Sequence, residues 1–400
     1  MTSPTAPPSS GSARARADRL PWAALLVMAL MGFLLIATET MPAGLLPQIS
    51  AGLGTSEGAV GQLVSAYALG TIIATIPLVA LTRGMRRKPV LLVGVLGFLL
   101  VNTVTALSTS IVLSLAMRVV AGAFSGLLWG MLAGYARRIT VPTLAGRALA
   151  VASLGTPVGL AVGTPFGSWL GTTFDWRWSF GTLSMLMAFT WVLALTLVPD
   201  APGQQAESHL PVGRVLAIPG VALVLAVILA WMLAHNAVYT YISSYLRSAA
   251  VPLPVDVALV TFGAAALGGI AITAALVDRM LRRLLLASIA LFTTAGVVLL
   301  VGQPSLALVV VAIVLWGLGY GGAATQLQTA VSEASGENAD VANSMLGVAF
   351  NLAIFGGGVL GAVLISGDAA VALPAAMIAL PLLGFVIALG ARRTAFPIGR

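Results

Sequence analysis

Leu81–Lys88 reads LTRGMRRK, and 195 residues later Leu276–Arg283 reads LVDRMLRR. Each is a short basic loop that closes one long apolar run and opens the next. An offset of 195 in a chain of 400 residues implies that the sequence is built from two related halves. The polar stretch between them, VPDAPGQQAESHLPVGR at Val198–Arg214, carries three prolines and reads as the joint.

The runs on either side of these loops set the fold class. A membrane-spanning helix needs about 20 mostly apolar residues, because backbone polar groups cannot be left unpaired in hydrocarbon. Twelve segments qualify: 20–46, 59–81, 89–107, 110–134, 144–171, 176–198, 215–242, 256–277, 284–302, 305–330, 340–365 and 370–390. Composition agrees, since 59% of residues are hydrophobic and 8% are charged, against roughly 25% charged in a soluble domain. The expected fold is an all-α membrane protein of twelve transmembrane helices in two six-helix bundles. Its divisions are a disordered basic tail (1–19), an N-terminal bundle (20–198), a linker (199–214), a C-terminal bundle (215–390) and a second tail (391–400). The N-terminal apolar run continues through ATETMPAGLL without the short core and small-residue ending of a cleaved signal peptide, so the first span is expected to be retained.

Even parity puts both ends on one side, and basic residues select which. Arg14, Arg16, Arg19, Arg83, Arg86, Arg87, Lys88, Arg137, Arg138, Arg147, Arg214, Arg279, Arg282, Arg283, Arg392, Arg393 and Arg400 fall on one side, and Arg177 and Arg247 on the other. Seventeen against two predicts cytoplasmic termini in a multi-pass protein of a bacterial inner membrane. The net charge of +8 is spread over loops rather than gathered on one face, which argues against nucleic acid as a partner. With no Cys and two His, His209 and His235, neither a disulfide nor a metal centre is expected. Phosphate-loop and hydrolase motifs are absent, so no cofactor and no enzymatic role are expected; GLGYGG at Gly317–Gly322 lies inside an apolar run and reads as packing glycine.

Several stretches resemble the major facilitator superfamily, in particular its drug and metabolite efflux branch. They are TETMPAGLLPQIS, GQLVSAYALG, RVVAGAFSG, GTPVGLAVGTPFGSWLG, WRWSF, YTYIS and NLAIFGGGVLG. The resemblance covers most of residues 20–390 and implies alternating access, export of a sugar, purine ribonucleoside or phenicol drug, protons as the second partner, the lipid bilayer as surroundings and a monomeric chain. The family's loop signature carries an acid where Arg83 stands, whereas the second copy keeps Asp278-Arg279 with Arg282 and Arg283. A latch between the halves is therefore expected to rest on Asp278.

Glu39 and Arg118 are the strongly ionisable residues well inside predicted spans, and such groups at membrane depth mark pathways, relays or pairs. Glu39 lies about 26 Å into the first span and Arg118 about 12 Å into the fourth from the other side, at 1.5 Å per residue. Glu39 is a candidate proton carrier or a structural cap near the break at Pro42; Arg118 resembles the arginine that couples protonation to binding in the family's exporters, with a structural bond to backbone carbonyls as the alternative. His235, less 195, falls one residue from Glu39, so the halves place polar groups at matching depth. It is a second candidate for proton coupling or a core histidine. Asn102, Phe124, Asn236, Tyr239, Tyr241, Gln326 and Asn351 are cavity candidates, although intramembrane amides commonly just bond helix to helix. Tyr67, Trp129, Phe262 and Trp316 offer stacking surface, while Trp22, Trp176 and Trp178 suit interface anchors.

Gly155, Gly159, Gly163, Gly167 and Gly171 recur every fourth residue, predicting a smooth face against which another helix packs, with Pro157 and Pro165 able to bend it. The family's exporters carry a similar Gly-Pro-rich fifth helix, which implies export. Facilitated or proton-driven uptake and, in another class, a channel remain the alternatives.

Overall fold

The computed structural model describes residues 20–203, 215–366 and 370–396. The tail 1–19, most of the linker with His209 and Arg214, and Arg400 lie outside the described residues. Among those described, eleven helices are long and apolar enough to cross a membrane. The longest, Val255–Val301, has non-helical backbone angles at Met280, so it comprises two spans and the total is twelve. Their outward faces are apolar: Leu107, Val112 and Val301 are each more than 70% exposed. That surface is stable only against lipid.

The spans are α1 (Trp22–Thr40), α2 (Glu57–Thr82), α3 (Arg87–Leu107), α4 (Ile111–Arg138), α5 (Pro142–Thr173) and α6 (Trp176–Leu197) in the first half. The second half has α7 (Val221–Thr240), α8 (255–279), α9 (281–301), α10 (Leu306–Ser335), α11 (Ala339–Ile365) and α12 (Leu373–Gly390). The duplication extends to packing. Helix α1 lies on α5 and α6 as α7 lies on α11 and α12, and α2 lies on α4 as α8 lies on α10.

Several boundaries differ from the sequence reading, each at a residue that disrupts helical hydrogen bonding. The first run ends its α-helix at Thr40, passes through a 3₁₀ turn at Met41–Gly44 and resumes as a separate helix, Leu46–Leu53, because Pro42 lacks the N–H that would continue the ladder. The seventh begins at Val221 rather than 215, since Pro219 precedes Gly220, whose φ of 104° no helix tolerates. It also breaks at Tyr241 before Ile242–Ser248. The linker does not begin loosely at 199. Tyr135 Oη donates to the Pro199 carbonyl at 2.8 Å, Arg87 N–H to Ala201 at 2.9 Å and Arg138 to Pro202 at 2.7 Å, so its first residues are docked on the start of α3 and the end of α4.

The glycine face of α5 runs along α1. A Cβ at Gly155 would lie 1.8 Å from the Ala29 carbonyl oxygen, at Gly159 2.8 Å from that of Phe33, and at Gly163 3.0 Å from Ala37 Cβ. At Gly167 it would meet Met41 Sδ at 1.9 Å and at Gly171 Leu45 Cδ2 at 2.6 Å. The partners, from Ala29 in α1 to Leu45 just beyond it, advance by four as the glycines do, with backbone against backbone at Gly155 and Gly159 and side chains between at the other three. In α5 Gly159–Gly163 forms a π-helical turn just before Pro165, a place where the missing proline N–H frees a carbonyl. The α11–α7 contact is a shorter copy, with Gly357 against Asn236 and Gly361 against Tyr241.

Candidate functional site

Pro42 also shapes the chemistry at the end of α1. An α-helical Thr38 carbonyl would accept from the N–H of residue 42, and proline has none. Arg118 of α4 fills that vacancy. Its Nη1 donates to the Thr38 carbonyl at 2.7 Å, Nη2 to the Glu39 carbonyl at 2.9 Å and Nε to the Leu63 carbonyl of α2 at 3.0 Å. The guanidinium is 1% exposed and its carbon lies 4.7 Å from the centre of the Tyr67 ring. One planar cation thus ties α1, α2 and α4, a use that needs the fixed fork of arginine. Glu39 gives Arg118 its carbonyl, which leaves the half-buried carboxylate within electrostatic reach of Arg118, Tyr67 and Tyr320.

Tyr320 carries that reach into the other half. Its ring stacks on His235 with centroids 3.5 Å apart and planes 10° from parallel. His235 is 3% exposed and is also flanked by Tyr239, Phe262 and Trp316, at centroid distances of 5.3, 5.7 and 5.6 Å. Trp316 Nε1 lies 3.0 Å from His235 Nδ1. An indole N–H only donates, so this geometry assigns a lone pair to Nδ1 and the ring proton to Nε2. Tyr320 thus stacks on His235 and is within electrostatic reach of Glu39. The sequence reading missed that residue because it sits in GLGYGG; its position four residues after Trp316, one turn along the same face, is the signal that would have found it.

Beyond Glu39, away from the chain ends, the halves are closed on each other. From the first half Gln62 donates to the Gly358 carbonyl at 3.2 Å and Ser65 to that of Phe355 at 3.1 Å, and Tyr241 Oη of the second half, 2.9 Å from the Gly358 carbonyl, also lies 3.4 Å from that of Gly58. Glu57 at the start of α2 accepts from Ser244 at 2.5 Å and pairs with Arg247. A Cβ on Gly263 of α8 would come 2.6 Å from Ala161 of α5. On the other side of the Arg118 level, towards the chain ends, α2, α4 and α11 leave a cavity of about 230 Å³, lined by residues including Thr71, Thr75, Trp129, Ser344, Phe350 and Asn351.

Of the expected cavity residues, Asn351 lines this space while donating to the Gly347 carbonyl at 3.0 Å. Asn236 bonds Met232 in its own helix at 2.7 Å. Tyr239 belongs to the His235 box, and its hydroxyl is buried. The others are held elsewhere: Asn102 donates to Thr38 Oγ1 at 3.3 Å, Gln326 to Thr273 and Ser288 at 2.9 and 3.0 Å, Phe124 packs over Gly97, and Tyr241 bolts the closed end. Trp176 is not an interface anchor. It is 2% exposed, pressed against Gly52 and edge-on to Phe180, whereas Trp22 and Trp178 are 55% and 58% exposed.

The basic loops also differ from expectation. Asp278 is exposed, and the acid that meets the first-half loop is Asp200, paired with Arg86 and accepting from the Lys88 N–H at 3.1 Å. Arg86 bonded to it holds the Asp200 carboxyl below the usual range. In the second copy Arg282 donates to the carbonyls of Ala388, Phe396 and Leu389 at 2.8, 2.8 and 3.0 Å. Arg279 and Arg283 are exposed.

The family profile described as Major Facilitator Superfamily matches residues 28–362. A chloramphenicol efflux pump of Mycobacterium tuberculosis is 28% identical over 352 residues, covering 85% of each chain. A chloramphenicol resistance protein of Streptomyces lividans is 32% identical over 277 residues, 68% of this chain and 69% of its own. Among solved structures, a bacterial homologue of the human lysosomal transporter Spinster, in an inward-facing and occupied conformation, superposes with a TM-score of 0.75 at 14% identity, over 92% of this chain and 96% of that one.

Proposed function

The chain belongs to the major facilitator superfamily, and from that premise we propose that it exports a small, uncharged or weakly charged organic solute in exchange for protons. The observation that carries this reading is the level of Glu39, Arg118, Tyr320 and His235, which spans both halves at the boundary between a closed end and a cavity. A carboxylate there, beside a cation that is already satisfied by backbone, is free to take up and release a proton as the halves rock. Residues 20–198 and 215–390 are the two rocking bodies, and the α1–α5 and α7–α11 contacts keep each of them rigid. The seventeen-to-two distribution of basic residues supports cytoplasmic chain ends, so that the cavity faces the cytoplasm and receives solute for export. A cavity of about 230 Å³ lies just below the usual range for ligand pockets, about 300–1,000 Å³, and fits a small solute. The monomer suffices for this scheme.

Both relatives named above are associated with chloramphenicol, which makes a phenicol the first probe. The test is counterflow in proteoliposomes preloaded with unlabelled chloramphenicol, a pentose or a purine nucleoside. Saturable exchange of at least one of them supports the reading. Flux of all three that is absent, or that never saturates, contradicts it.

A further inference from the structure

Beyond the transport path, the end of α12 and the start of α7 form a second concave feature. Residues 391–396 turn back on the end of α12. Phe396 is fully buried, the N–H groups of Thr394, Ala395 and Phe396 return to the Ala391 carbonyl at 3.2, 3.1 and 3.0 Å, and Arg282 fastens Ala388, Leu389 and Phe396. Gly220, the residue before α7, is packed so closely that a Cβ would lie 3.0 Å from the Thr394 carbonyl. This pinned turn holds Arg392 and Arg393 over a groove of about 530 Å³ whose lining also includes Leu223, Val386, Ile387 and Thr394. Both guanidinium groups are exposed.

Three features of the groove converge on one kind of occupant. Its two cations spring from a pinned backbone turn. Leu223 lies in the first turn of α7, where backbone N–H groups and the helix dipole favour an anion. The floor is apolar and faces the bilayer, with Leu223 and Val386 38% and 58% exposed. We propose that this groove binds an anionic phospholipid, its phosphate between Arg392, Arg393 and the start of α7 and an acyl chain along Leu223, Val386 and Ile387. Basic pockets between spans at the headgroup level have the right charge for that ligand. A free anion would use the same cations and none of the floor.

The experiment uses the full chain purified in detergent, delipidated and then offered phosphatidylglycerol, phosphatidylcholine or inorganic phosphate, with bound species counted by native mass spectrometry. The native protein retains phosphatidylglycerol at least fivefold over phosphatidylcholine, and phosphate does not displace it. Arg392→Gln/Arg393→Gln loses that preference, and Val386→Asn, which leaves the cations in place, weakens retention at least threefold. Arg137→Gln/Arg147→Gln, the same charge change elsewhere on that side, leaves it unchanged. Equal retention of the two lipids by the native chain, phosphate competing as well as lipid, or an unaltered preference in the Arg392/Arg393 variant would each overturn the proposal. Unfolding temperature without lipid, matched across variants, separates loss of the site from loss of the fold.

Discussion

Arg118 shows how one side chain repairs the cost of another. Pro42 strips the Thr38 carbonyl of its helical donor, and Arg118 supplies the replacement along with bonds to Glu39 and Leu63. Hydrogen bonds to charged groups are worth roughly 1.5–3 kcal/mol each. Lysine keeps the charge but cannot present three donors in one plane, so Arg118→Lys is expected to lower the unfolding temperature in detergent by several degrees and to cut exchange at least tenfold. Native values for both would show that the fork has no role. At this scale the sequence is legible for what is rare. Glu39, Arg118 and His235 stand out as ionisable groups in apolar runs, and the repeat aligns the first with the third to within one residue. Backbone carbonyls were one of the readings for Arg118, but which carbonyls was not legible, and the ring stacked on His235, Tyr320, was hidden among glycines. Asn102, Gln326 and Tyr241 misled for a related reason: an amide or a phenol looks alike in sequence whether it faces a cavity or a neighbouring helix.

Helices were read reliably and their ends were not. Twelve spans follow from hydropathy alone, yet the breaks at Thr40, Gly220 and Tyr241 depend on single residues within continuous apolar runs. The glycine spacing of α5 is the exception, since a period of four specifies a contact as well as a helix. Its partner atoms differ along the stripe, which yields a graded test. Gly155→Ala would drive a methyl to 1.8 Å from the Ala29 backbone, whereas Gly167→Ala meets the flexible thioether of Met41. Gly155→Ala should therefore abolish a monodisperse peak in size-exclusion chromatography, and Gly167→Ala should keep at least half of it. Gly155→Ala behaving like the native chain would mean that α1 and α5 do not approach this closely.

Across the whole molecule, closure is one-sided. The Glu57–Arg247 pair and the Tyr241 hydroxyl seal the end away from the chain termini, and the cavity lies beyond the Arg118 level on the other side. The absence of cysteine makes orientation directly measurable. With Ser56→Cys or Thr143→Cys as the single thiol, an impermeant maleimide applied to intact cells should label the first and spare the second; the reverse pattern would invert the topology drawn from the basic loops. The central claim is that a proton on Glu39 drives the cycle, and Glu39→Gln tests it most directly, because the amide keeps the size of the side chain and removes its titration. Native and variant chains are reconstituted in proteoliposomes, and both uphill accumulation under an imposed pH gradient and solute counterflow without one are measured with the best substrate of the counterflow panel. The account predicts that the variant loses accumulation and retains counterflow within about threefold, the scale of ordinary side-chain perturbations at roughly 0.6 kcal/mol per factor of e. Undiminished accumulation by Glu39→Gln would contradict it.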